Sequence, residues 1–243
     1  MDILFLTGPP FGAPLFDAVI QRLGRGSAES VIDAQNPSAD WQAFGDRLAE
    51  RVRARPTVVV AHGLAVPGAV AAALAASPAA LVLMNGPVRV LDPISGAASR
   101  VAASALGGRL ARTVLHPVPW LAWLRSSAGL RRAVVNPYVM DRDTVAAICG
   151  PVVEHAANRR AVVSWLAGLG NLPDPRSLRC PTLSLWGDGD ALYPSMEAGF
   201  LEAAVPGHVH VAIPGGQHLH PVERPWESAD RLRHWLVARG LWA

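Results

Sequence analysis

Four short apolar runs, each ended by chain-breaking residues, set the rhythm of the chain. Ile3-Leu4-Phe5-Leu6 runs into Thr7-Gly8-Pro9-Pro10-Phe11-Gly12, and Thr57-Val58-Val59-Val60 into Ala61-His62-Gly63. Leu81-Val82-Leu83-Met84 runs into Asn85-Gly86-Pro87, and Thr182-Leu183-Ser184-Leu185 into Trp186-Gly187-Asp188. Continuous apolar runs without alternation predict strands buried on both faces, the signature of a parallel sheet. Between the first two runs, Trp41, Phe44, Leu48 and Val52 return at helical spacing and predict a helix over residues 40–55. Val209-His210-Val211-Ala212-Ile213 predicts a further strand and residues 226–239 a final amphipathic helix. Strands alternating with helices imply a parallel sheet covered on both faces.

Residues 88–176 break this rhythm with Ala-, Leu- and Arg-rich helical patterns and no convincing strand. They predict a helical insertion, with Trp120, Trp123 and Leu124 on one helical face and Trp165 on a later helix. Core packing is the first reading of these aromatics, and lining a ligand pocket the second.

At 51% hydrophobic and 17% charged, the 243 residues can bury a large core, which excludes a disordered chain. The net charge is only +3, all basic residues are arginine, and they are dispersed, so no nucleic-acid partner is expected. The uncharged stretch 62–88 has the length of a membrane span, but Pro67, Gly68 and Pro78 interrupt it, and a strand, helix and strand through an α/β core explain it better. No membrane partner is expected. Cys149 and Cys180 stand outside any metal or redox motif and read as reduced thiols. With an N-terminus that lacks a basic, cleavable leader, they point to the cytoplasm.

Three segments then carry a resemblance. Val58-Val59-Val60-Ala61-His62-Gly63-Leu64-Ala65 resembles the strand, nucleophile elbow and helix of the α/β-hydrolase superfamily, usually G-H-S-x-G. Trp186-Gly187-Asp188-Gly189-Asp190 with Pro194 resembles that family's acid loop, and Pro214-Gly215-Gly216-Gln217-His218-Leu219 its histidine loop. The resemblance covers nearly the whole chain. It implies an α/β-hydrolase fold, a mostly parallel central sheet flanked by helices, with a core of residues 1–88 and 177–243 and a helical cap at 89–176.

Carried over position by position, the resemblance makes Asp190 the acid and His218 the base, and puts Gly63 at the nucleophile position. A glycine cannot attack, so serine-type acyl transfer has no starting point. Of the two oxyanion donors, Leu64 N–H remains, while aligning Thr7-Gly8 with the family's His-Gly puts Pro9, which has no N–H, at the second. What is left is a His-Asp dyad suited to general acid/base work.

The leading reading is a cofactor-independent enzyme performing elimination, isomerisation or cyclisation on an apolar small molecule under the cap, by analogy a tailoring enzyme of specialised metabolism. A hydrolase in which the dyad activates water and an inert ligand-binding pseudoenzyme stay open beside it. His62, to which the resemblance assigns a structural place before the elbow, stands with Trp120, Trp123, Tyr138 and Trp165 among the candidate pocket residues, and the largest apolar cavity is expected between the cap and the strand ends, bordered by Gly63, Leu64, His218 and one or more cap residues. Asp188 reads as a solvated turn residue and His116 as a helix-end residue. The His208-x-His210 and His218-x-His220 pairs lack a carboxylate at ligand spacing, so no metal is expected.

Overall fold

The computed structural model describes residues 1–33, 36–37, 40–89, 100, 102, 104 and 115–242. Its strands are β1 (Asp2–Thr7), β2 (Ser27–Ser30), β3 (Ile32–Asp33), β4 (Asn36–Pro37), β5 (Thr57–His62), β6 (Ala80–Met84), β7 (Thr182–Gly187) and β8 (Val209–Ile213). Six of them form one sheet in the order β2-β1-β5-β6-β7-β8, every neighbouring pair parallel. The short strands β3 and β4 pair with each other. The apolar runs of the sequence are the central strands: β5, β6 and β7 are buried along their whole length, and β1 from its second residue.

Helices α1 (Asp17–Leu23), α2 (Trp41–Ala54) and α3 (Val66–Ala76) connect the first strands of the sheet. The chain steps one way from β1 to β2 and the other way from β2 to β5 and on to β6. Right-handed crossovers therefore put α1 on one face and α2 and α3 on the other. The predicted 40–55 helix is α2, started by Asp40, whose carboxylate accepts from Ala43 N at 2.9 Å.

β2 and α1 escaped the sequence reading. Ser27-Ala28-Glu29-Ser30 is a polar edge strand with half its positions exposed, so it carries no apolar run.

From 115 to 176 the described residues form α4 (Pro117–Arg125), α5 (Arg142–Val153) and α6 (Ala156–Gly168) with short turns, and no strand. Most of the preceding part of the expected cap, 90–99, 101, 103 and 105–114, lies outside the described residues. Toward the C-terminus, α7 (Met196–Ala204) joins β7 to β8, and α8 (His220–Glu223) leads into the last helix, α9 (Pro225–Ala238). As the crossover geometry requires, α2 packs on α3, while α1 packs on α9.

The uncharged 62–88 stretch is the end of β5, then α3 and β6. Among the described residues no helix is long and apolar enough to cross a membrane. Cys149 and Cys180 are buried and free, and burial pushes the Cys149 thiol up to about 12.

Candidate active site

Three loops at the C-terminal ends of the strands meet, as open α/β sheets arrange their sites. β5 ends at His62, Gly63 takes φ +58°, and a tight turn over Gly63–Ala65 leads into α3. Left-handed backbone suits a residue without a Cβ. The turn is also closely packed, because a Cβ on Gly8 would overlap the Ala65 amide and one on Gly86 the Gly63 carbonyl. Among the described residues other than its chain neighbours, a Cβ on Gly63 would meet one side chain within 4 Å, the His218 ring, with Nε2 at 3.7 Å and Cε1 at 3.9 Å.

The loop after β7 carries Asp190. Asp190 Oδ2 accepts from His218 Nδ1 at 3.0 Å and from Asn85 Nδ2, and Oδ1 accepts from Leu192 N at 2.7 Å and Tyr193 N at 3.2 Å. Asn85, at the end of β6 with φ +43°, turns its own Oδ1 to Gly187 N at 3.0 Å and so ties the acid loop to the sheet. Burial alone would raise the Asp190 carboxyl. The hydrogen bonds from His218, Asn85 and Leu192 outweigh it and hold the group below the usual range. An ionised carboxylate only accepts, so His218 Nδ1 carries the proton and, in the neutral ring, Nε2 presents its lone pair toward Gly63.

The backbone of the histidine loop is fixed too. His62 Nε2 lies 2.9 Å from His218 O, and since a carbonyl only accepts, His62 is the donor. Burial first, then the neighbouring His218, lowers the His62 pKa far below its ordinary value, which keeps the ring neutral. Its Nδ1 is buried and has no partner among the described residues. The His62 and His218 rings stand 4.8 Å apart, with Tyr193 and Phe11 at 5.7 and 6.2 Å from His218. His62 thus braces the backbone of the His218 loop. Glu223 completes the frame, accepting from Gln217 N at 2.9 Å and Val135 N at 2.7 Å.

The loop after β1 has no backbone donor to spare. Pro9 and Pro10 lack an N–H, Gly8 N donates to His62 O at 3.3 Å, Phe11 N to Gly8 O at 3.0 Å, and Gly12 N to Ile148 O at 2.6 Å. Leu64 N–H, in the first turn after Gly63, stands where an amide has no intrahelical acceptor.

Trp165 packs on Phe44, ring centroids 6.0 Å apart, close to Gly68 on α3. Trp120 is buried with Leu124, but Trp123 is 54% exposed, a correction to the single face expected for the three. The buried stripe runs between Trp120 and Leu124, and Trp123 lies about 100° around the helix from Leu124. Tyr138 is 84% exposed on a short turn, and Asp188 and His116 are exposed as read.

A cavity of about 800 Å³ does lie between the sheet and the 115–176 helices, but it is lined by β1, β2, α2 and the α5–α6 corner, not by Gly63, Leu64 or His218. The loop that carries Phe11 and Gly12 fills the space between that cavity and the His218 ring. The described residues hold no group of three or more His, Cys, Asp or Glu arranged for a metal, and His210 Nδ1 is engaged by Ser184 Oγ at 2.9 Å.

Asn85 went unseen in the sequence. The available signal was an amide side chain closing a wholly apolar strand at the sheet end where the other loops gather.

The chain shares its fold with an esterase from Thermogutta terrifontis, at 22% identity and TM-score 0.69, over 98% of this chain and 90% of that one. MenH from S. aureus aligns at 12% identity and TM-score 0.76, over 99% and 94%. The enol-lactonase from Burkholderia xenovorans LB400 aligns at 14% and 0.66, over 97% and 91%. No curated protein is matched by the sequence. The sequence does match a family over residues 3–230, and with the parallel sheet and the loop order of elbow, acid and histidine, the chain belongs to the alpha/beta hydrolase family.

Proposed function

We propose that this protein is a cofactor-independent acid/base catalyst in which Gly63 occupies the place of the family nucleophile and His218, held by Asp190, moves a proton on an apolar small molecule without a covalent intermediate. The observation that carries this is the Gly63 turn: its backbone has the left-handed φ of +58°, and the position of its missing Cβ faces His218 Nε2 at 3.7 Å. A substrate C–H or O–H placed there would lose its proton to Nε2. The Asp190 carboxylate stabilises the imidazolium formed, which returns the proton elsewhere on the same molecule or to a leaving oxygen. Elimination, isomerisation and cyclisation all balance on that one proton.

The loop after β1 favours the same reading. Acyl transfer needs two donors on a developing oxyanion, and that loop has every N–H absent or already committed. Residues 1–88 and 177–243 serve as the core and 89–176 as a cap over the site. The open space at Gly63 also favours one second reading, a water activated by His218 for hydrolysis.

The test is a panel of apolar carbonyl, hydroxycarbonyl and ester compounds incubated with the protein in D₂O and, separately, in ¹⁸O-water. The expected result is deuterium at a carbon position or rearranged product, lost in His218→Ala, with no covalent adduct from a fluorophosphonate probe. Product carrying ¹⁸O with no carbon exchange would select the water reading. Activity unchanged in His218→Ala, or an acyl-enzyme on the unmodified protein, would overturn both. Binding without any turnover would leave a ligand-binding protein.

A further inference from the structure

Glu197 stands in the first turn of α7 with its side chain wholly buried, and the chemistry assigned to His218 does not use it. Its Oε2 accepts from Val88 N at 3.1 Å and its Oε1 from Arg89 Nε at 3.4 Å. The Arg89 guanidinium also lies over the Phe200 ring of the same helix, 5.1 Å from its centroid. Burial raises the Glu197 carboxyl above its ordinary range, outweighing the bonds from Val88 and Arg89 that lower it. A leucine would fill such a place without that cost, as Leu201 does one turn further along α7.

What the carboxylate accomplishes follows from where its partner lies. Val88 comes three residues after Asn85 on the loop that leaves β6, and Glu197 comes seven residues after Asp190 on the loop and helix that leave β7. The two segments are therefore clasped at two points, Asn85 Nδ2 on Asp190 and Val88 N on Glu197, bonds that span 105 and 109 residues of chain. One point leaves a hinge. Two points fix the direction of the loop, and with it the amide that Asn85 donates to Asp190. Asn85 needs that support, because its φ of +43° is left-handed backbone that a side chain adopts at a cost, and an anchor just beyond the turn keeps it from relaxing.

We propose that Glu197 is a positioning residue for Asp190: by holding the Val88 N–H it sets the Asn85 amide on the Asp190 carboxylate and so steadies the contact between Asp190 and His218 Nδ1. This role rests on the one proposed above for the His218–Asp190 pair, yet it is read without turnover.

The reporter is the His218 Nδ1 proton in ¹⁵N-histidine-labelled protein, whose exchange with water follows how often the Asp190 contact opens. Glu197→Leu should speed that exchange about tenfold, the worth of one buried hydrogen bond to a charged group. Glu197→Gln, whose carbonyl can still accept from Val88, should stay within about twofold of the unmodified protein. Leu201→Ala removes packing from the same helix and no bond to the β6 loop, so it should behave like Glu197→Gln. In an Asn85→Gly background, Glu197→Leu should add nothing, because its effect passes through the Asn85 amide. In turnover, Glu197→Leu should lower kcat with KM little changed.

A second measurement needs no variant, so a Glu197→Leu chain that fails to fold leaves the answer intact. On the unmodified protein, the Val88 amide and the Asn85 side-chain amide should be protected to within about tenfold of each other, as parts of one opening unit. An unmoved His218 proton in Glu197→Leu, an equal rise in Leu201→Ala, full additivity with Asn85→Gly, or a Val88 amide that opens far more often than the Asn85 amide would overturn the role. Because exchange is followed without substrate, its failure strikes Glu197 alone, whereas failure of the catalytic reading shows in the turnover of His218→Ala.

Discussion

Replacing Gly63 with serine separates a site that lacks only its nucleophile from one built for other chemistry. The missing Cβ lies 3.7 Å from His218 Nε2, so a hydroxyl on it can enter the ~2.6–3.2 Å range of a nucleophile–base hydrogen bond. The backbone opposes the change, since a side chain at φ +58° costs ~1–2 kcal/mol. The new hydrogen bond offsets ~0.5–1.5 kcal/mol of that. The variant should therefore fold, with Tm lowered by roughly 5 °C or less. Its new hydroxyl would stand in line with His218 and Asp190 but with one oxyanion donor, Leu64 N–H, because the N–H groups of residues 8, 11 and 12 are committed and Pro9 and Pro10 have none. Loss of one such donor costs ~10²–10³ in acyl transfer. The assay is a pre-steady-state burst with a nitrophenyl ester on the folded Gly63→Ser protein and on the unmodified protein, and the expected result is little or no burst from either. Stoichiometric acyl-enzyme in the variant would refute the oxyanion argument, and efficient turnover by the unmodified protein would refute the non-hydrolytic reading.

The remaining expectations concern the frame of the site and its pH response. His218→Ala should abolish turnover of the true substrate while leaving its Kd within about tenfold, because the ring is assigned to proton transfer; a Kd change well beyond that in titration calorimetry would make it an anchor instead. Asn85→Gly keeps the backbone at φ +43° and removes the amide that donates to Asp190, so the carboxyl should become easier to protonate. The acid limb of the pH–rate profile should move to higher pH with kcat reduced and KM little changed; an unmoved limb would show that the amide does not tune the acid. Burial lowers His62 well below its ordinary value and takes His220 to about 3 and His208 to about 4. Folded pKa values below the unfolded one make stability that is full above about pH 6.5 and lost as pH falls toward 4 and then 3, which urea midpoints at pH 7.5, 6 and 5 would show as a steady decline. His208→Phe, which replaces a ring with no hydrogen-bond partner among the described residues, should flatten part of that decline at little cost near pH 7.5, and an unchanged slope would remove His208 from the account.

What could be read from the chain divides along a physical line. The central strands announce themselves because a strand buried on both faces must be apolar throughout, as Thr57–His62 and Ala80–Met84 nearly are. Ser27–Ser30 is as much part of the sheet but sits at its edge, where only half its side chains need shelter, and no apolar run remains to be seen. His218 and Asp190 were legible through local motif chemistry. Their supports were less so: His62 was expected to be structural, but its partner, the His218 carbonyl 156 residues on, was not legible, and Asn85 meets Asp190 across 105 residues. A side chain whose purpose is a partner far along the chain leaves no periodic trace. The cavity was missed for the same reason: Arg51 and Glu29 belong to α2 and β2 and Asn158 to α6, so each reads alone as surface charge or a helix residue. A histidine loop and a glycine turn locate where protons can move, but the space around them is set by Phe11 and the proline-rich loop, whose packing follows from committed N–H groups and not from any pattern of hydrophobicity. Chemistry is therefore the more local property of this chain, and shape the less local one, which is why variants at Gly63 and His218 test the first directly.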